Sequence, residues 1–112
     1  NWWGNRGLKR QKIAEQIAVE EKEDSRQLLL IQMQNAYDNL ETAYKQIQLA
    51  KLSMEQAAEN LRLNQDFYEA GTGTMSNLLD AQTQDQKARN QHSEAVVAYL
   101  NARTAYLKAT GR

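Results

Sequence analysis

The sequence predicts an all-α fold, a long antiparallel coiled-coil helical hairpin with alanine-rich heptad seams. Three observations carry that expectation. The chain of 112 residues has no proline and only five glycines. Two of those, Gly71 and Gly73, sit together in "YEAGTGTMSNLLDAQ" in its interior. On either side the sequence is rich in Ala, Leu, Gln, Glu and Lys, residues that favour helix.

The elements follow in order. Residues 1–7, "NWWGNRG", read as an entry segment. From Leu8 to Ala70 nothing interrupts a helix. Residues 71–74 form the tip, because Gly71 at the C′ position reaches positive φ without a Cβ clash. Residues 75–109 return as the second helix, with Thr74, Ser76 or Asn77 as its cap. Asp80 is expected to add negative charge to its first turn, where the helix dipole favours it. Thr110 and Gly111 close the segment in residues 110–112.

A 3-4 spacing runs back from the turn through Tyr68, Asn64, Leu61, Ala57, Met54, Ala50, Ile47, Ala43, Leu40 and Ala36. It runs forward through Leu78, Ala81, Asp85, Ala88, His92, Ala95, Tyr99, Ala102, Tyr106 and Ala109. Both are heptad seams. Folding the chain at Gly73 sets large residues opposite large ones: Leu40 with Tyr106, Ile47 with Tyr99, Met54 with His92, Leu61 with Asp85 and Tyr68 with Leu78. The same fold sets Ala36, Ala43, Ala50 and Ala57 opposite Ala109, Ala102, Ala95 and Ala88. Alanine facing alanine at every heptad lets two backbones approach closely.

The hairpin is lopsided. Residues 8–35 find no partner within the chain, "EEKEDSRQ" at 20–27 has no apolar residue, and "LLLI" at 28–31 covers every side of a turn. A second stripe of Leu30, Tyr37 and Tyr44 is expected to face sideways. Such leftover apolar surface implies lateral packing against other helices, and self-association of the isolated fragment.

Composition excludes several classes. Fourteen basic and fourteen acidic side chains, mixed along the chain, give a net charge of zero, and no basic stripe is expected to signal nucleic acid or an anionic membrane surface. Without cysteine there is no disulfide and no thiolate zinc site. No apolar run approaches the ~20 residues of a membrane-spanning helix. His92, with Asp85 one heptad away, lacks a second nitrogen or sulfur ligand. It reads as a polar seam residue, so no metal and no cofactor is expected. With Asn64 these two are expected to soften the seam toward the tip and let the tip splay. Nucleophile, base and oxyanion donor converge nowhere, so no catalytic residue is assigned and an enzyme is not expected. The glycine-threonine turn lacks the lysine and spacing of a phosphate-binding loop. Trp2 and Trp3 suit an aromatic belt beside a membrane, and equally a disordered terminus or local packing.

The tip residues narrow the function. Tyr68, Gly71, Leu79, Asp80, Ala81 and Gln82, with Tyr99, Leu107 and Gly111 beyond them, resemble the C-terminal part of the second repeat of the TolC-like outer-membrane efflux family. "NWWGNRG" resembles that family's passage from a membrane β-strand into its long helix. The resemblance implies a fragment of a periplasmic α-barrel in a homotrimeric channel for efflux or type I secretion. By it, Gly71, Thr72, Gly73, Thr74, Met75 and Ser76 contact a periplasmic adaptor protein. That adaptor links the channel to an inner-membrane transporter. Asn77 and Asp80 then lie at the channel entrance. Asn77 stands where some members carry a further aspartate, so the resemblance does not extend to a doubled acidic ring. The alternative is the coiled-coil hairpin of a periplasmic adaptor, or another structural interaction module.

Overall fold

The computed structural model describes residues 2–111 and divides them into two units, one ending at Asn35 and one beginning at Ala36. Helix α1 runs Trp2–Glu69 and helix α2 runs Met75–Ala109. There is no strand among the described residues.

The first unit is helix throughout. Every described residue as far as Gln32 is exposed, so no packing holds it and local terms do. Arg26 pairs with Glu23 at 3.1 Å, and Gln11 Nε2 donates to Glu15 at 3.5 Å. Such contacts stabilise a helix by about 0.2–0.5 kcal/mol each. The helix begins at Trp2, ahead of the start expected at Leu8. Gly4 and Gly7 each weaken a helix interior by ~1 kcal/mol but do not break it as proline does. One turn on from Trp2, the Arg6 guanidinium lies over the indole, 4.4 Å from its centroid.

In the second unit, the part of α1 from Ala36 onward and α2 form an antiparallel hairpin. The two heptad seams are its interface. Every seam residue is buried or half-buried except Tyr68, and the flanking positions are largely exposed. The closest packing lies toward the tip, where Leu78, Ala81, Asp85 and Ala88 are the buried residues of α2. Ala50 and Ala95 line one groove with Gln46, Ser53, Gln91 and Ala98, as an alanine layer at that level requires.

One expectation of the seam needs correction. Tyr68 does not close the seam opposite Leu78 but remains 41% exposed. Helix α1 ends at Glu69, so Tyr68 occupies its last turn, where the chain is already leaving the interface. The side stripe stays exposed beside the seam, as expected, and its two tyrosines also reach the partner helix. The Tyr37 ring packs on Tyr106 and the Tyr44 ring on Tyr99, each with centroids 6.1 Å apart and tilted by 58° and 55°. Both contacts join the same offset one heptad apart, so an aromatic clasp flanks the alanine layers on one side.

Outside that clasp the helices are held by apolar contact. From residue 40 to 111, each described side-chain hydrogen bond joins residues no more than five apart in sequence. Cross-helix specificity therefore comes from side-chain volume: alanine admits close backbones and the larger residues fill the spaces between.

Candidate functional site

The tip is built from backbone. Gly71 has φ +77, and its N–H donates to the Tyr68 carbonyl at 3.1 Å, while the Thr72 N–H donates to the Phe67 carbonyl at 2.9 Å. These are the two bonds of a Schellman stop, and Gly71 is the C′ residue expected there. The Phe67 carbonyl also accepts from the Gly73 N–H at 2.9 Å and from Thr72 Oγ1 at 3.2 Å. One carbonyl thus gathers three donors and fixes the path of the turn.

Thr74 starts the second helix from an extended conformation, φ −96 and ψ 153. Its Oγ1 accepts the Asn77 N–H at 3.1 Å, and its carbonyl accepts the Leu78 N–H at 3.1 Å. Of the three candidates, then, Thr74 is the cap; Ser76 and Asn77 are inside the helix. Asp80 lies beyond the first turn, which holds no acidic residue, so it does not complement the helix dipole as expected. The cap at Thr74 sets the start one turn too early for that.

Thr72, Thr74, Met75, Ser76, Asn77 and Asp80 are all exposed, with Gly71, and Gly73 is half-buried. The structure therefore brings the candidate tip residues together on one solvent-facing turn, with Asn77 and Asp80 following on α2. Phe67 and Leu79 join them as exposed apolar side chains, 51% and 52% accessible. Sequence reasoning missed Phe67. Its role is carried by a backbone carbonyl, which residue identity does not reveal.

The second candidate constellation is Asp85 and His92. Asp85 is buried, and its Oδ2 accepts the Arg89 Nε–H at 2.9 Å from one turn along the same helix. Its Oδ1 is buried with no hydrogen-bond partner. His92 is half-buried in the seam. Asn64 turns back on its own helix, Nδ2 donating to the Asn60 carbonyl at 2.8 Å. Among the described residues no group of three or more His, Cys, Asp or Glu side chains is placed to hold a metal ion. None of their helices is long and apolar enough to cross a membrane.

Comparison with known proteins gives one match. The family described as outer membrane efflux protein matches residues 1–112. No curated protein and no solved structure matches the chain.

Proposed function

Because the chain belongs to the outer membrane efflux protein family, a family of transport channels and not of enzymes, we propose that it is the periplasmic helical hairpin of a channel subunit. The hairpin forms part of the tunnel wall, and its tip docks a periplasmic adaptor that connects the channel to an inner-membrane transporter. The subunits act as a homotrimer. Residues 1–7 follow a membrane strand in the complete protein.

The observation that carries this reading is the tip. A turn whose backbone donors are spent on Phe67 and Tyr68 keeps one shape, and it presents Thr72, Thr74, Met75 and Ser76 to solvent. Such a preorganised surface binds without a large ordering cost. Burial of Leu78, Ala81, Asp85 and Ala88 at the tip end of the seam favours hairpins that shift past one another as units over helices that splay apart.

A disulfide experiment on the full-length channel tests it. Cysteine at Thr72 should crosslink to the adaptor, and cysteine at Asn77 should crosslink between subunits and block export. Undiminished export by a demonstrably crosslinked channel would overturn the entrance role, and no adaptor adduct at Thr72 would overturn docking. The isolated chain should self-associate through the exposed Leu49, Leu52, Leu63, Val97 and Leu100. A strict monomer in sedimentation at high concentration would contradict that.

A further inference from the structure

The first turns of α1 carry a charge distribution that the chain-wide balance conceals. Residues 2–14 include Arg6, Lys9, Arg10 and Lys12 and no acidic residue. None of the four forms a salt bridge among the described residues. The nearest carboxylate in sequence is Glu15, which accepts from Gln11. Trp2 and Trp3 precede the cations, 61% and 72% exposed, their rings edge to face at 5.1 Å.

At about 100° per residue, Trp2, Trp3, Arg6, Lys9 and Arg10 fall within roughly a third of the helix circumference. Lys12 borders this face and shares a cleft with Trp2, Asn5, Arg6 and Lys9. Side chains on a helix tilt toward its amino terminus, so the cations project back toward the tryptophans. Arg6 over Trp2 is an instance of that tilt.

We propose that Trp2, Trp3, Arg6, Lys9, Arg10 and Lys12 form a contact site for the anionic phospholipid headgroups of a membrane surface. Indole rings settle at the boundary between hydrocarbon and headgroups. Cations within the next ~6–15 Å along the axis reach the phosphates from the aqueous side, their aliphatic stems lying along the apolar boundary. Aromatic rings in front with cations behind suit a layered interface better than a uniformly charged polymer such as a nucleic acid. The inference rests on the proposed function only for placing this end of the helix beside a membrane.

The chain has two tryptophans, both in the site, so tryptophan emission, excited apart from its five tyrosines, reports this contact. Mixing the full chain with vesicles of equal parts phosphatidylglycerol and phosphatidylcholine should shift tryptophan emission to the blue, with no shift on pure phosphatidylcholine. Salt at 0.5 M should reverse the shift through screening. Each cation removed, as in Lys9→Gln, should weaken binding about fivefold. A Lys45→Gln, Lys51→Gln control should retain it. An equal shift on neutral vesicles, no shift on the anionic ones, or an equal loss in the control would overturn the site. So would retention on double-stranded DNA without a shift on vesicles. Failure here leaves adaptor docking untouched, because the crosslinks read the tip and never a lipid.

Discussion

Gly73 lies so close to Phe67 that a Cβ on it would stand 2.9 Å from Phe67 Cβ and 3.1 Å from the Tyr68 backbone nitrogen. Gly71 differs: its φ is +77, yet nothing lies within 4 Å of the added carbon. The two glycines of the tip thus serve different needs, one for space and one for backbone angle. Asparagine tolerates positive φ, so Gly71→Asn should cost little, whereas Gly73→Asn should destabilise the hairpin by about 1–3 kcal/mol through overpacking. Thermal melts at one chain concentration distinguish them. Equal losses at both positions would mean that the close approach at Gly73 costs no more than the positive φ at Gly71.

The aromatic clasp predicts a coupling. Tyr44 and Tyr99 meet at 6.1 Å, and tilted aromatic pairs contribute about 0.5–1.5 kcal/mol beyond the area they bury. A double-mutant cycle with Tyr44→Leu and Tyr99→Leu should return a coupling in that range. Strictly additive losses would mean that the rings are neighbours without interacting.

The seam and the clasp differ in how legible they are from sequence. Heptad spacing dictates which side of each helix is apolar, and alanine recurring every seventh position fixes close approach, so seam residues from Ala36 to Ala109 could be read off with Tyr68 alone misplaced. The rings of Tyr37 and Tyr44 are long enough to reach across from a position one step off the seam. Periodicity assigns a residue to a face but not the reach of its side chain. At the tip, Gly71 announced the stop, while the convergence of three donors on the Phe67 carbonyl is a backbone event with no residue signature. The cationic face at residues 6–12 was hidden by averaging charge over the whole chain.

On the exposed side of α1, Arg62 bridges Glu59 at 2.7 Å and Asp66 at 3.0 Å. The hydrogen bond from Arg62 holds the Glu59 carboxyl below its ordinary range, burial opposes this, and the Arg62 charge adds to the lowering. The folded value therefore lies below the unfolded one. The stabilisation from this pair is present above the unfolded carboxylate range and is lost as pH falls through the lower, folded value. A side-chain NMR titration should show Glu59 moving up in Arg62→Gln. An unchanged Glu59 would detach the shift from the arginine. Both groups are exposed, so the effect on overall stability should be small and reduced by salt.

Asp85 tests what the seam tolerates. It occupies a buried heptad position, is satisfied at Oδ2 by Arg89 and leaves Oδ1 without a partner. A buried polar atom without a hydrogen bond costs about 1–3 kcal/mol. Replacing it removes that cost without orphaning Arg89, whose side chain is 57% exposed and can hydrate. Asp85→Leu should therefore raise the melting temperature, by an amount corresponding to about 1–3 kcal/mol. Arg89→Gln should do the opposite, because it strips the remaining partner from a buried carboxylate. Combining the two separates the terms: with Asp85→Leu in place, Arg89→Gln should be close to neutral. A loss of stability in Asp85→Leu would instead mean that the unpartnered Oδ1 carries no such cost.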